Sequence, residues 1–125
     1  KDGKGRILLQ KRSAEKDFAP LWWSSSAGGH IKTGETYEQA AARELEEELG
    51  INIPLTYKGE IYYEDGRHIK RFIGLCEATY EGKLHLNPEE VADAKYFEID
   101  EIKRLIREGR IMQETINLLI SHDYI

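Results

Sequence analysis

The sequence predicts an α/β fold, and three observations support this prediction. Short apolar or alternating segments, typical of β-strands, occur on both sides of one strongly helical segment at residues 37–49. Two further helical segments follow the last strand-like segment near the C-terminus. Such a mixture buries its apolar faces best when helices cover a sheet. No internal repeat or low-complexity tract interrupts the chain, so we expect one domain.

The N-terminal part of the chain is expected to form two short strands. Residues 1–5 contain two glycines and predict a turn, and the apolar residues that follow predict a strand at 6–10. Residues 11–20 are a polar connection, in which Phe18 is the expected hydrophobic anchor. A second extended segment is predicted at 21–26.

The central helix has clear signals at both ends. Thr36 with Gln39 three residues later predicts a capping box at the N-terminus. Gly50 suits the left-handed position just past the C-terminus, and Pro54 soon afterwards cannot resume the helix. The residues between these signals include alanines and leucines that favour helix formation. We therefore predict a helix at residues 37–49.

The second half of the chain is expected to contain a hairpin, another strand and two helices. A Tyr- and Ile-rich alternating segment precedes Asp65-Gly66, a dipeptide typical of tight hairpin turns. Asp100 is the expected N-cap of the first C-terminal helix, and Gly109 follows its end. We predict strands at residues 55–64, 68–79 and 94–99, a short extended piece at 83–86, and helices at 100–107 and 112–122.

The charge balance and the cysteine count limit the classes of function. The chain has 125 residues, with 18 basic and 23 acidic side chains and a formal net charge of −5. An acidic balance argues against a broad nucleic-acid interface. The single Cys76 has no partner for an internal disulfide, which favours the reducing cytoplasm. No apolar run is long enough to span a membrane and no signal-peptide pattern is present, so we expect no membrane partner.

Three glutamates on the predicted central helix are the strongest indication of chemistry. Glu44, Glu47 and Glu48 are spaced i, i+3 and i+4, so they share one face of the helix. Carboxylates this close repel one another unless a cation lies between them, and such hard oxygen ligands suit Mg²⁺ or Mn²⁺. Arg43 is placed to orient a neighbouring carboxylate by a bidentate contact. The alternative is a solvated, glutamate-rich surface helix, which is the more common meaning of a charge run.

That alternative does not account for the residues around the glutamates. The segment 29–51, GHIKTGETYEQAAARELEEELGI, contains Gly29, Glu35, Arg43-Glu44-Leu45, Glu47-Glu48 and Gly50-Ile51 at fixed offsets. This segment resembles the Nudix box, the motif of enzymes that cleave a diphosphate joined to another group. The resemblance covers nearly the whole chain and implies a Nudix fold, a mixed β-sheet sandwiched between helices. It also implies a single Nudix domain over residues 1–125 that lacks its first N-terminal strand.

Three other segments, at residues 7–13, 23–30 and 87–91, resemble one branch of this family. That branch holds the Nudix hydrolases similar to isopentenyl-diphosphate isomerase, and the isomerase is therefore an alternative function. By resemblance its nucleophilic cysteine would stand at Gly28, whereas Cys76 is distant and within a predicted strand. A hydrolase is favoured for this reason. A non-catalytic nucleotide-binding module is the other alternative.

The resemblance assigns the metal and the reaction to particular residues. Glu44, Glu47, Glu48 and the carbonyl of Gly29 would bind Mg²⁺ or Mn²⁺, and Glu35 would support them by hydrogen bonding. The implied reaction is attack by a metal-activated water on a phosphorus of the diphosphate. The proton would pass to Glu44 or to a carboxylate outside the helix. The candidates outside the helix are Glu64, Asp65, Glu89 and Glu90, of which Glu90 is preferred.

The remaining charge of the substrate must be met by basic side chains. Arg12, His30, Arg43 and Arg71 are the candidates for contacts with phosphate. We expect a nucleoside diphosphate derivative or another small diphosphate, bound by a monomer or a homodimer. Aromatic side chains suit either a stacked nucleobase or the core of a sheet. The sequence leaves both roles open for Trp22, Trp23, Tyr57, Tyr62 and Tyr63.

Overall fold

The computed structural model describes residues 1–26, 31–64 and 70–125. The elements in these ranges are β1 (Ile7–Arg12), β2 (Trp23–Ser25), α1 (Tyr37–Leu49), β3 (Thr56–Glu64), β4 (Lys70–Glu77), β5 (Val91–Phe97), α2 (Ile99–Arg107) and α3 (Gln113–Ser121). The predicted α/β class is confirmed. Over the same ranges, no helix is both long and apolar enough to cross a lipid bilayer.

The named strands form two sheets. In the first sheet, β1 lies between β2 and β5 and pairs with both in antiparallel fashion. In the second sheet, β3 and β4 form an antiparallel hairpin. An isolated parallel bridge joins Trp23 of β2 to Ile111, which precedes α3. This bridge gives the first sheet a mixed character.

The outer edge of β2 is held by the connection between α2 and α3. The N–H of Trp23 donates to the carbonyl of Arg110 at 2.9 Å, and its carbonyl accepts from the N–H of Met112 at 2.9 Å. One pleat further on, the N–H of Ser25 donates to the hydroxyl of Thr115 in α3 at 3.0 Å. The chain that leads into α3 therefore lies along this strand.

Two adjacent residues of β1 divide the core, because successive side chains of a strand point to opposite faces. Leu9 packs with α2 and α3 on one face of the sheet, and Leu8 packs with α1 on the other. The first cluster contains Leu9, Trp23, Phe97, Ile102, Leu105, Ile111 and Leu119, and the second contains Leu8, Leu49, Ile51 and Val91. The sheet thus lies between helices, in agreement with the predicted α/β/α arrangement.

The central helix forms at the predicted residues because its signals are local. The hydroxyl of Thr36 accepts from the N–H of Gln39 at 3.1 Å, and the Gln39 side chain accepts from the N–H of Thr36 at 2.9 Å. The helix ends at Gly50, whose φ of 69° lies in the left-handed region. A Cβ at this position would also lie 2.7 Å from the Cβ of His85. Both predicted caps and the helix at residues 37–49 are confirmed.

The β3–β4 hairpin packs against the N-terminus of α1 through Tyr37. The Tyr37 ring lies so close to Gly74 of β4 that a Cβ there would be 2.3 Å from it. The ring also stacks on Tyr57 of β3, with 5.6 Å between the ring centroids. Its hydroxyl donates to Glu60 at 2.7 Å, and this hydrogen bond raises the pKa of Tyr37 to about 12. The hairpin therefore holds the first turn of α1.

Several boundaries differ from the predictions, because long-range pairing decides the strand ends and a local capping contact decides the start of α2. β1 continues to Arg12, and β5 begins at Val91 rather than at residue 94, because Arg12 and Val91 pair with each other. The N-cap of α2 is Glu98 rather than Asp100. The reason is that the carboxylate of Glu101 accepts a hydrogen bond from the N–H of Glu98 at 3.0 Å, which begins the helix earlier.

The hydrophobic anchor predicted for the connection after β1 is wrong. Phe18 is 54% exposed. Hydrogen bonds hold this connection instead: the Nε of Arg12 donates to the carbonyl of Phe18 at 3.0 Å, and Leu21 donates its N–H to the carbonyl of Arg12 at 3.0 Å. The expected extended piece at 83–86 lies outside the named strands. The N–H of His85 in this piece donates to the carbonyl of Leu49 at 2.9 Å.

Candidate active site

Helix α1 presents its three predicted ligands unequally. Glu48 is 6% exposed, the side chain of Glu44 is 16% exposed, and that of Glu47 is 55% exposed. Glu44 and Glu48 are about one helical turn apart and face inward together, whereas Glu47 faces solvent. Within the described ranges, no three His, Cys, Asp or Glu side chains form a group that would hold a metal ion. The arrangement brings Glu44 and Glu48 together, and the full ligand set stays a prediction.

Gln10 of β1 is the partner of the buried glutamate. Its Nε2 donates to the Oε1 of Glu48 at 2.7 Å and to the carbonyl of Ser26 at 2.9 Å. Gln10 is itself buried, which is uncommon for this residue type unless its amide is hydrogen-bonded. No motif in the sequence marks Gln10 as a site residue. Its signal in the sequence is a lone amide that follows the apolar run Ile7-Leu8-Leu9.

The environment of Glu48 disfavours its negative charge. Burial raises the pKa of Glu48 first, and the hydrogen bond with Glu44 and the charges of Glu44 and Glu90 raise it further. The hydrogen bond from Gln10 opposes this effect, and the result is a pKa of about 8. Three carboxyl groups thus act on one another at this point of the molecule. A cation between them would relieve this repulsion.

Arg43 links the acidic residues on the outer side of the helix. Its Nε and Nη2 donate to the two carboxylate oxygens of Glu35 at 2.9 and 3.0 Å, so the bidentate contact forms with Glu35, eight residues away, rather than with an adjacent glutamate. Its Nη1 donates to Glu44 at 2.6 Å and lies 3.6 Å from Glu47. The hydrogen bonds from Arg43 and from the N–H of Lys32 hold the pKa of Glu35 at about 2. The hydrogen bonds with Glu35 and Glu44 raise the pKa of Arg43, so Arg43 and Glu35 are both charged at neutral pH.

The loop before β5 brings Glu90 to the inner side of the same helix. The N–H of Asn87 donates to the carbonyl of Glu48 at 3.0 Å, which fastens the loop to α1. The N–H of Ser13 donates to the carbonyl of Glu90 at 3.1 Å, and the carboxylate of Glu90 forms an ion pair with Lys16. Its charge is one of those that raise the pKa of Glu48. Glu90 therefore lies beside the inward-facing carboxylates.

Two of the predicted phosphate-binding arginines lie on different elements. Arg12 ends β1 and uses its Nε for the carbonyl of Phe18. Arg71 of β4 forms an ion pair with Glu114 of α3, and its guanidinium carbon lies 5.8 Å from the centroid of the Tyr63 ring. The Nε of Arg71 is buried and has no hydrogen-bond partner among the residues that the structure describes. A buried donor of this kind is costly and suits an anionic ligand.

A cleft of about 950 Å³ connects these groups. Apolar residues of β1, β4 and α3 form much of its wall. The polar and charged residues of its lining include Gln10, Arg12, Lys16, Glu44, Glu48, Arg71, Glu90 and Glu114. The cleft therefore places carboxylates and guanidinium groups around one space, a combination that fits a cation together with an anionic substrate.

The five aromatic residues that could either stack on a base or belong to the core differ in their burial and contacts. Trp23 and Tyr63 are buried, which assigns them to the interior. Tyr57 stacks on Tyr37, and Tyr62 lies edge-to-face against Phe72 with 5.5 Å between the centroids. Trp22 is 42% exposed and lines the cleft.

Some predicted site residues lie outside the described part of the chain. They are Gly28, Gly29, His30 and Asp65. The glycine carbonyl as a metal ligand and the histidine as a phosphate contact therefore stay predictions.

Comparison with known sequences gives a consistent result. The family described as the NUDIX domain matches residues 1–118 of this chain. An uncharacterized Nudix hydrolase of Yersinia pestis is 37% identical over 102 residues, which cover 81% of this chain and 56% of that protein. An uncharacterized Nudix hydrolase of Listeria monocytogenes is 37% identical over 116 residues, which cover 87% of this chain and 65% of that protein. The chain thus spans roughly three fifths of the length of these relatives.

Solved structures with a similar fold include two that cover most of the chain. DR0079 from Deinococcus radiodurans superimposes with a TM-score of 0.81 at 22% identity, covering 98% of this chain and 77% of that one. The NUDIX domain of NrtR from Shewanella oneidensis, solved in complex with ADP ribose, gives a TM-score of 0.71 at 18% identity. That match covers 91% of this chain and 73% of the NrtR chain. At these identities the similarity concerns the fold alone.

Proposed function

Because this chain belongs to the NUDIX domain family and has the Nudix fold, we propose that it is a divalent-metal-dependent hydrolase of diphosphate linkages. The proposed substrate is a nucleoside diphosphate derivative or a related small diphosphate. The single Cys76 supports a cytoplasmic location as part of the same proposal.

The observation that carries the proposal is the contact between Glu44 and Glu48 at the cleft. Two inward-facing carboxyl groups share a hydrogen bond that favours the protonated form of Glu48, and the pKa of Glu48 is raised to about 8 by burial and by its acidic neighbours. Hard oxygen donors in a region of unfavourable negative charge fit Mg²⁺ or Mn²⁺. Glu44, Glu47, Glu48 and the carbonyl of Gly29 would hold the ion. When bound, it would supply positive charge to the phosphate oxygens and lower the pKa of a water molecule.

The chain's own residues have separate tasks in this proposal. Glu90 is the preferred proton acceptor, because its carboxylate lies near the inward-facing pair and its loop is hydrogen-bonded to α1. Glu44 is the alternative acceptor. Gln10 holds the carboxylate of Glu48 in place at 2.7 Å. Arg43 positions Glu44 from the outer side of the helix at 2.6 Å.

The substrate's phosphates are proposed to contact Arg12, His30, Arg43 and Arg71. Arg71 is favoured by its buried Nε, which has no hydrogen-bond partner in the described part of the chain. Arg43 already donates to Glu35 and Glu44, so a phosphate that contacts Arg43 would have to share its N–H donors with these two carboxylates. The nucleotide part of the proposal is supported by the NrtR domain, which has the same fold and was solved with ADP ribose.

The isomerase alternative depends on a reactive cysteine, and Cys76 does not have the properties of one. It lies in β4, and burial together with the charge of Glu38 raises the pKa of its thiol. A nucleophilic cysteine requires the opposite shift, because the thiolate is the reactive form. These properties favour the hydrolase.

Phosphate release from a panel of small diphosphates, measured with Mg²⁺ and with Mn²⁺, tests the proposal. We expect release from at least one nucleoside diphosphate derivative. Glu48→Gln should lower kcat about 100-fold or more, because the loss of a metal ligand removes several kcal/mol of transition-state stabilisation. Glu46→Gln is the matched control, since Glu46 is an exposed glutamate on the same helix. Full activity in Glu48→Gln would contradict the proposal, and nucleotide binding without any turnover would favour a non-catalytic module.

A further inference from the structure

Gln10 lies on a firmly held part of the first sheet, on the side that faces the acidic helix. It belongs to β1, the middle strand, and its backbone is paired with Ser24 on one side and Ala94 on the other. Leu8, two residues earlier, packs with α1, and alternate side chains of a strand share a face. The side chain of Gln10 therefore extends towards α1 from a strand that both neighbouring strands hold in place.

Two hydrogen-bond acceptors fix the orientation of the Gln10 amide. Its Nε2 donates to the Oε1 of Glu48 at 2.7 Å and to the carbonyl of Ser26 at 2.9 Å. Rotation of the amide by half a turn would place its oxygen against two other acceptors, which is unfavourable. Ser26 is itself held, because its hydroxyl donates to the carbonyl of Leu8. The amide nitrogen of Gln10 is therefore a fixed donor to one oxygen of Glu48.

Each of the two inward-facing carboxyl groups has one oxygen engaged by an N–H group. Gln10 engages the Oε1 of Glu48, and the Nη1 of Arg43 engages the Oε1 of Glu44 at 2.6 Å. As far as the structure describes the chain, no N–H group donates to the Oε2 of either glutamate. An ion that bound through both oxygens of Glu48 would compete with the amide of Gln10 for Oε1. The arrangement thus leaves one oxygen of each glutamate for a cation.

We propose that Gln10 is a positioning residue that makes the site prefer Mg²⁺ to Ca²⁺. This inference rests on the proposed function and deepens it by assigning the choice of ion to one residue. Mg²⁺ prefers a nearly octahedral arrangement, retains several waters and uses only a few protein carboxylates. Ca²⁺ takes more oxygen ligands and often binds both oxygens of a carboxylate. A glutamate with one oxygen already engaged suits Mg²⁺ better than Ca²⁺.

Titration calorimetry with MgCl₂ and with CaCl₂, at one fixed pH and without substrate, tests this assignment. The wild type should bind Mg²⁺ more tightly than Ca²⁺. Gln10→Met has a side chain of similar length without an N–H donor. It should weaken Mg²⁺ binding about 10-fold or more, the usual effect of losing a partner that orients a metal ligand. Ca²⁺ binding should weaken less, so the preference for Mg²⁺ should fall. Gln10→Asn, whose amide is one methylene shorter, should show the same fall.

Gln113→Met is the matched control, because Gln113 is an exposed glutamine of α3 whose amide donates to Asn117 at 2.8 Å. It should leave both affinities unchanged. The assignment is overturned if the wild type does not prefer Mg²⁺, or if the Gln10 variants weaken the binding of both ions by the same factor or not at all. Equal weakening is the result expected from a general loss of structure.

The outcomes separate this assignment from the proposed function. An unchanged preference in a protein that hydrolyses a diphosphate rejects only the role of Gln10. A reduced preference in a protein that hydrolyses no diphosphate rejects the hydrolase alone. Binding of neither ion by the wild type rejects the metal-dependent hydrolase and the role of Gln10 together.

Discussion

At the scale of single residues, the contacts of Arg43 with Glu35 and Glu44 fix and partly neutralise the carboxylates of the acidic helix. Arg43 donates to Glu35 through two nitrogens and to Glu44 through the third. A guanidinium held in this way cannot swing freely, and it keeps the carboxylate of Glu44 in one orientation. The acidic cluster is thus partly neutralised from its outer side, while its inner side faces the cleft.

The shifted pKa of Glu35 predicts how stability depends on pH. Hydrogen bonds from Arg43 lower the pKa of Glu35 in the folded protein from an ordinary 4.5 to about 2. A carboxylate whose pKa is lowered by folding contributes stability above its unfolded pKa and loses it as the pH falls through the folded value. The free energy of unfolding should therefore decrease between pH 4.5 and 2, and Glu35→Gln should flatten this part of the profile.

Urea unfolding across that pH range measures the effect of Glu35. Glu38→Gln is the control, because Glu38 is an exposed glutamate in the first turn of the same helix. An equally steep acid dependence in wild type and Glu35→Gln would show that other carboxylates cause the decrease.

Residue-scale prediction succeeded where neighbours in sequence carry the information. A bidentate contact of Arg43 with a carboxylate could be expected from its position beside the glutamates. Its partner Glu35 is only eight residues away in the sequence and belongs to the same motif. Gln10 was missed because its partner Glu48 is 38 residues away. Nothing within residues 6–12 identifies which distant carboxylate the amide of Gln10 will contact, since the fold alone brings the two together.

At the scale of elements, α1 was predictable and the strand ends were not. The helix is bounded by Thr36 and Gly50, whose capping contacts lie within the helix itself. β5 begins at Val91 because Val91 pairs with Arg12 of β1. This pairing cannot be read from residues 91–97 alone, since the partner strand is distant in the sequence. Local chemistry thus determines helix ends, and tertiary pairing determines strand ends.

The contact between α1 and β4 leads to a prediction about Gly74. A Cβ at this position would lie 2.3 Å from the ring of Tyr37, far inside normal contact distance. Gly74→Ala should therefore lower the free energy of unfolding by about 1–3 kcal/mol, the usual cost of overpacking. Chemical denaturation of the purified variant measures this change.

Removal of the ring provides the test of the cause. In a Tyr37→Ala background, Gly74→Ala should cost little, or stabilise by about 0.4–1 kcal/mol because alanine restricts the unfolded chain more than glycine. If the substitution costs the same in both backgrounds, contact with Tyr37 is not the reason for glycine at this position.

At the scale of the whole molecule, the acidic cluster links the proposed metal to folding stability. An ion that binds the native state alone raises stability by RT ln(1 + [L]/Kd), which is about 2.7 kcal/mol at a concentration 100-fold above Kd. Mg²⁺ should therefore raise the Tm of the wild type relative to EDTA. The increase should be much smaller in Glu48→Gln, since Glu48 is one of the two inward-facing carboxylates.

Differential scanning calorimetry measures this shift without reference to any substrate. Glu46→Gln, at an exposed position of α1, should keep the full increase. An identical increase in wild type and Glu48→Gln would indicate that Mg²⁺ binds elsewhere on the protein.

The cleft is formed by segments that are far apart in the sequence, and for this reason the substrate could not be predicted from the sequence. The motif around α1 indicated the reaction class, because its residues are contiguous in the chain. The cleft wall combines β1, the hairpin strand β4, the loop before β5 and α3. The two possible roles of Trp22 and Trp23 differ only in burial, and the arrangement of the elements decides burial.

The hydrogen bonds along the outer edge of β2 affect the tendency of the protein to self-associate. An edge strand with free N–H and carbonyl groups is a template on which another chain can add a strand and begin aggregation. In β2 the outward N–H groups of Trp23 and Ser25 are both used, by Arg110 and by Thr115, and the outward carbonyl of Trp23 accepts from Met112. The segment that leads into α3 therefore covers this edge of the sheet and leaves these groups of β2 unavailable for pairing with a second copy of the chain.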